Sequence, residues 1–354
     1  MLMAFRNFMS RRTMSANIRN HAMNTFSSRK IFEENRTKSE TIRQKEDRPH
    51  EVLYFHKVDD PYSHLTIQYI NKFKSSFDVI FKPVLVGEED PESVHEPSLY
   101  SIYCLEDVKK IAPFYGVEFS ADVYPSKELV AKANKILTSL DDASFGEIAS
   151  SVSSALWEEN EEALNNLSLQ YQATDNEVKI KLTNGNEIRN NKGYYFGSAF
   201  YYEKELYWGV DRLHYLEDRL TELGVKNNLN NESVCQLELK APAELTSEKK
   251  VNLYYYPSLN SPYTFVSSNR VREMQDEYPI NLITQPVLPM LMRKMTIPGV
   301  KAKYIISDAA REGRKHGYEM KSIYSPIGKP ARKAYSLFPI INEAGRGLIT
   351  SMHY

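Results

Sequence analysis

A chain of 354 residues with 42% hydrophobic and 26% charged residues has an ordinary globular composition and is long enough for two domains, each with its own core. Its formal net charge of −1 supplies no whole-chain attraction to nucleic acid or to an anionic membrane, and no stretch approaches the roughly 20 apolar residues of a membrane span. Two cysteines, Cys104 and Cys235, stand far apart without a Cys-x-x-Cys, which argues against a disulfide framework, a zinc ribbon and a dithiol redox centre. Each reads as a partly buried structural thiol.

Residues 1–48 read as a basic arm or extra helix outside the core. From Met1 to Phe32 there is no acidic residue, while Arg6, Arg11, Arg12, Arg19, Arg29 and Lys30 are basic. The segment lacks the apolar centre of a secretory signal. Its composition is that of an organellar transit peptide, and equally that of a basic arm or of a start placed upstream of Met3, Met9, Met14 or Met23. A cytoplasmic location is expected, with a mitochondrial one as the alternative.

Residues 50–225 read as one complete α/β domain. Val52-Leu53-Tyr54-Phe55 is a buried strand. Asp59-Asp60-Pro61 signals a helix start, because Asp caps free N–H groups and Pro suits the first turn. Tyr62, Leu65, Tyr69 and Phe73 follow at helical spacing, and Phe77 to Pro83 is a second strand ending at Pro83. Strand–helix–strand in this order is a parallel βαβ crossover. Helical stripes between Pro97 and Ala173 mark a helical insertion, at about 90–190. Tyr194 to Tyr202 and Glu205 to Trp208 then form a hairpin. Asp211 to Leu223 is a closing helix that stops at Gly224.

After a polar linker at 226–249, the segment 250–354 opens the same way. Val251 to Tyr256 is a strand, Asn260-Ser261-Pro262 a helix start, and Ile280 to Pro286 a second strand. Asp60-Pro61-Tyr62 aligns with Ser261-Pro262-Tyr263 at an offset of 201, and Tyr103, Asp107 and Gly116 align with Tyr304, Asp308 and Gly317 at the same offset. Pro83 aligns with Pro286 at 203, which implies two extra residues in the second copy. The second copy reaches Tyr354 without a matching hairpin. An open sheet edge is therefore expected, covered by the first domain, by the arm, or by a second chain in a homo-oligomer.

These residues make the chain similar to the DsbA-like thioredoxin superfamily, in the branch of 2-hydroxychromene-2-carboxylate isomerases and kappa-class glutathione transferases. Ser261-Pro262-Tyr263, Pro286-Val287-Leu288, Lys301-Ala302-Lys303-Tyr304, Asp308 and Arg311 carry the likeness in the second copy. Asp60-Pro61-Tyr62, Pro83-Val84-Leu85, Leu156-Trp157, Phe196 to Phe200 and Trp208 to Leu213 carry it in the first. The resemblance implies a thioredoxin-like α/β fold with a helical insertion, in two tandem copies of which the second is incomplete.

The resemblance further implies a glutathione site. The family places a serine at a helix start, where N–H groups and a hydroxyl stabilise a thiolate. A cis-Pro and a Gly-x-Asp-Arg turn hold the rest of glutathione. Ser261 matches the serine and is the candidate catalytic residue. Asp211 and Arg212 match the turn, as candidate binding residues. The first copy departs from the pattern twice, with Asp60 at the serine position and Ala199 at the cis-Pro position. A carboxylate at Asp60 would repel a thiolate. Ser261 and Asp60 are also plain helix caps, and Asp211 and Arg212 a helix-start pair.

Two functions follow. One is a glutathione-dependent isomerase or transferase acting on a small thiol and an aromatic or hydrophobic substrate. The other is a non-catalytic, degenerate tandem scaffold or interaction protein. Dithiol–disulfide exchange lacks its Cys-x-x-Cys. His56 and His64 flank the first helix start without a carboxylate at ligand spacing, so no metal is expected. Glu88-Glu89-Asp90 reads as a solvated loop.

Overall fold

The computed structural model describes residues 14–89, 91–227, 233–234, 250–321 and 323–343. Cys235, residues 1–13 of the arm and most of the 226–249 linker lie outside them. The chain divides into two compact units, one of Lys38–Lys240 and one combining Met1–Thr37 with Ala241–Tyr354.

The Lys38–Lys240 unit is built on a mixed four-stranded sheet in the order β2-β1-β3-β4. Strand β1 (Glu51–His56) runs parallel to β2 (Ile80–Leu85) and antiparallel to β3 (Ala199–Tyr202), which pairs with β4 (Glu205–Trp208). All of β1 after Glu51 is buried, because a central strand covered on both faces needs a continuous apolar run rather than an alternating one. The β3–β4 link is Glu203-Lys204, with φ of 41° and 73°, the left-handed pair that a two-residue hairpin requires. Helices α3 (Pro61–Ile67) and α4 (Ile70–Ser76) connect β1 to β2, and α10 (Val210–Glu222) follows β4. Rings from several of these elements meet in the core, with Tyr54 at 4.9 Å from Phe200 and Phe73 at 5.8 Å from Phe200. This mixed α/β arrangement, a βαβ crossover, an insertion, a hairpin and a closing helix, is consistent with a thioredoxin-like fold.

The insertion holds α5 (Pro97–Ile111), α6 (Lys127–Ser139), α7 (Asp142–Trp157), α8 (Glu161–Ser168) and α9 (Asp175–Asn191). Helix α9 fills the last part of the insertion expected at about 90–190, beyond the apolar stripes that end at Ala173. Its residues are mostly polar, and its start is set by Thr174, whose side chain exchanges bonds with Glu177. It approaches β2 so closely that a Cβ on Gly185 would run into the Leu85 carbonyl oxygen.

One strand end is corrected. Strand β2 does not stop at Pro83; Pro83 lies inside it, opposite Tyr54, and pairing continues to Leu85. The strand is at the sheet edge, where a residue without an N–H is tolerated. Pro286 lies beyond the end of its own strand, so the two prolines are not equivalent and no two-residue insertion separates the units.

The other unit holds a two-stranded parallel sheet of β5 (Val251–Tyr255) and β6 (Ile280–Thr284), joined by α11 (Pro262–Glu277). Helices α12 (Gly299–Lys315) and α13 (Lys329–Glu343) follow. Its core is small: Val266, Ala309, Ala310 and Met320, flanked by Tyr263, Phe265 and Ile323. Val251, Tyr254 and Tyr256 remain exposed.

The described part of the basic arm is helical and contributes no residue to either core cluster. It forms α1 (Met14–Ser27) and α2 (Arg29–Lys45), and α1 packs along α12. The Asn20 amide donates to the Ile323 carbonyl at 2.7 Å, and the Ile323 N–H donates to Asn24 Oδ1 at 3.0 Å. The Arg314 guanidinium sits 4.4 Å from the centre of the Phe32 ring. Asn24→Ala removes the acceptor for the Ile323 N–H and is expected to cost about 1 kcal/mol. Amide exchange at Ile323 should accelerate while exchange in buried β1 stays unchanged.

Candidate functional site

Asp60 is the N-cap of α3. Its Oδ1 accepts from Tyr62 N at 3.2 Å, and its Oδ2 accepts from Ser63 N at 3.0 Å and from the Ser63 hydroxyl at 2.8 Å. Ser63 Oγ in turn accepts from Lys57 N at 3.3 Å. Burial pushes the Asp60 carboxyl up to about 6, against the pull of Lys57 and of the Ser63 and Tyr62 bonds. The Lys57 ammonium lies 3.1 Å from Asp59 and 3.5 Å from Glu89. Burial works against its charge, yet Asp59, Glu89 and Asp60 outweigh burial and hold its pKa above the ordinary value.

These groups line one end of a cavity of about 170 Å³. Its other walls are aromatic: Tyr62, Tyr100, Tyr124, Phe196 and Trp208. The rings touch in sequence, with centroids 5.1 Å apart for Tyr62 and Trp208, 5.9 Å for Trp208 and Phe196, and 6.0 Å for Phe196 and Tyr100. Gly197 closes the wall beside Asp60, where a Cβ would stand 2.7 Å from Lys57 Cβ. Cys104 also borders the cavity; burial pushes its thiol up to about 12, so it is a protonated wall group rather than a nucleophile.

Within the Lys38–Lys240 unit, the residues singled out in the sequence do not all line this cavity. Asp60 lines the cavity; Ala199, Asp211 and Arg212 do not. Ala199 is buried at the start of β3, opposite Phe55 and Trp208, and no peptide among the described residues is cis. Asp211 and Arg212 occupy the first turn of α10 and bond to each other, Arg212 Nη1 to Asp211 Oδ2 at 2.6 Å. Ser261, in the other unit, caps α11 and accepts from Thr264 N at 3.3 Å. No acceptor for its hydroxyl hydrogen stands among the described hydrogen bonds.

The two histidines are core groups. His56 is buried, with Nδ1 at 3.1 Å from the Tyr54 hydroxyl, and burial lowers it to about 3. His64 lies between Ser153 Oγ at 2.9 Å and the Glu118 carbonyl at 3.2 Å, and burial lowers it to about 4. Among the described residues no three His, Cys, Asp or Glu side chains gather as a metal site.

Sequence reasoning missed Glu89, Lys57 and most of the aromatic wall. Glu89 belongs to the Glu88-Glu89-Asp90 run read as solvated loop; Glu88 is exposed, but Glu89 turns to Lys57. Lys57 standing just before Asp59 and Asp60 was the local signal.

Several contacts recur in the two units 201 positions apart. The Tyr62 hydroxyl donates to Asp107 Oδ2 at 2.7 Å, and the Tyr263 hydroxyl donates to Asp308 Oδ2 at 2.8 Å (263 − 62 and 308 − 107 are both 201). Lys57 N donates to Ser63 Oγ at 3.3 Å, and Ser258 N to Thr264 Oγ1 at 3.1 Å. Gly116 and Gly317 have φ of 63° and 78°. Asp60 and Ser261 occupy one position in this frame.

No family model matches the chain, and no curated protein matches it. Among solved structures it is similar to a selenomethionine 2-hydroxychromene-2-carboxylate isomerase (HCCA isomerase), at 15% identity and a TM-score of 0.39, over 49% of this chain and 96% of that one.

The titrating groups give opposed pH effects. Folded His56 and His64 titrate at about 3 and about 4 against an ordinary 6.5, so their stability contribution is present above 6.5 and is lost as pH falls toward those values. Folded Asp60 titrates at about 6 against an ordinary 3.8, so its contribution is present below 3.8 and lost as pH rises through 6. Asn keeps the cap without the charge. Asp60→Asn should therefore lose more stability than the parent chain on acidification from 6 to 4, by about 2 kcal/mol. Urea midpoints measured across that range check it.

Proposed function

We propose that the chain is a tandem thioredoxin-like protein of the isomerase and glutathione-transferase type, whose first unit binds a small molecule beside Asp60 without thiolate chemistry. The observation that carries this reading is the occupied helix start. The N–H groups of Tyr62 and Ser63 and the Ser63 hydroxyl already donate to the Asp60 carboxylate. The donors that would stabilise a substrate thiolate are thus taken, and a second anion there would meet a negative charge. The recurrent contacts 201 positions apart, Tyr62 with Asp107 and Tyr263 with Asp308, support descent of both units from one ancestor.

A second reading places glutathione-dependent isomerase or transferase activity at Ser261. It is favoured by one feature. The Ser261 hydroxyl accepts from Thr264 N and keeps its hydrogen for another acceptor, such as a sulfur at the start of a 16-residue helix.

Calorimetry with glutathione on the full chain separates the two. The first reading predicts no heat of binding at about 1 mM, a concentration that would report any affinity stronger than about −4 kcal/mol. A heat that persists in Asp60→Asn and vanishes in Ser261→Ala would assign the activity to Ser261. A heat abolished by Asp60→Asn alone would overturn the view that the Asp60 carboxylate excludes a thiolate.

A further inference from the structure

The cavity beside Asp60 carries one ammonium, Lys57, against three carboxylates, Asp59, Asp60 and Glu89. Lys57 is already committed, at 3.1 Å to Asp59 and 3.5 Å to Glu89. The buried Arg189 guanidinium also feels Glu89 from behind the cavity, and two cations against three carboxylates still leave the polar end short of positive charge. The walls reinforce that sign. Tyr62, Trp208, Phe196 and Tyr100 touch ring to ring, and aromatic faces attract cations and repel anions. A carboxylate or a thiolate entering here would meet the negative charge of the polar end. A neutral ring would satisfy the walls and leave the carboxylates as they are. Only a ligand with an apolar body and a cationic end satisfies both.

Size narrows the class. An apolar cavity of about 150 Å³ accommodates benzene, and this one measures about 170 Å³. One six-membered ring with a short substituent fills it.

We infer that this cavity binds small arylalkylamines as ammonium ions, the ring against Trp208 and Phe196 and the ammonium against Asp59, Asp60 and Glu89. The inference rests on the reading of the first unit as a small-molecule binding unit and names its ligand class. The raised titration point of Asp60 fits it: burial, more than Lys57 offsets, holds the carboxyl up to about 6, and an ammonium entering the cavity would favour the ionised form.

The test uses three probes with one ring and different charge: benzylamine, benzyl alcohol and benzoate, titrated by calorimetry into the full chain at about pH 8, where the amine is largely protonated. Benzylamine is expected to bind about tenfold more tightly than benzyl alcohol, and benzoate not at all. Glu89→Gln, on a loop, should weaken benzylamine several-fold and leave benzyl alcohol unchanged. Benzyl alcohol or benzoate binding as tightly as benzylamine would overturn the cation assignment while leaving the ligand-binding reading in place. Equal weakening of benzylamine and benzyl alcohol by Glu89→Gln would do the same. Absence of binding by all three would overturn both.

Discussion

Withdrawing a carboxylate from water costs several kcal/mol unless hydrogen bonds and opposite charge compensate for it. Asp60 meets that condition with short-range partners drawn from its own helix start and from Lys57. The arrangement constrains its surroundings. Ser63 must present both N–H and hydroxyl, so it is buried under the chain, and its Oγ accepts from Lys57 N. Lys57 must stay charged in a confined place, which Asp59 and Glu89 secure. Gly197 must lack a side chain, because the hairpin entry passes directly over Lys57 and Asp60. The cavity is the space these requirements leave.

The Tyr62–Asp107 bond ties this corner to the insertion. It joins the first turn of α3 to α5, the helix that also supplies Tyr100 and Cys104 to the cavity. The equivalent Tyr263–Asp308 bond joins α11 to α12, and there Asp308 is buried and also bound by Arg311 at 2.6 Å. The strut is thus kept in a unit whose core is much smaller and whose sheet has two strands instead of four. In a small core, a directional polar bond between helices fixes an angle that apolar packing alone would leave loose.

Much of the fold was legible because its signals are local. Asp-Pro and Ser-Pro starts, apolar strand runs and the Gly224 stop all act within a few residues. Where the sequence reading failed, the deciding contact was distant. Pro83 resembled a strand terminator, and only its place at the sheet edge makes it tolerable inside β2. Helix α9 showed no apolar stripe because it meets β2 through Gly185 and a buried Arg189, which reaches the Glu88 carbonyl at 3.1 Å. The basic arm gave no sign of its partners, since Asn20 donates to and Asn24 accepts from a backbone some 300 positions away. The site was half legible. Asp60 stood out as a departure at a helix start, but the aromatic wall gathers Tyr62, Tyr100, Tyr124, Phe196 and Trp208 from five separate segments. No short-range pattern relates them.

Exchange of serine for aspartate at a helix start changes the sign of the site. A serine cap leaves the helix end net positive, with a hydroxyl free to donate, and an anion is the natural guest. An aspartate cap satisfies the same N–H groups with its own charge and turns the site toward cations. The helix does not distinguish the two, since both are good caps and the fold accepts either. Stability therefore exerts little selection between them, while ligand chemistry inverts. Asp60 and Ser261 cap helices whose side-chain hydrogen bonds recur 201 positions apart, so one chain holds an aspartate cap and a serine cap in similar local frames. The surroundings follow the cap: beside Asp60, the committed Lys57 and the aromatic faces complete a cavity suited to positive charge.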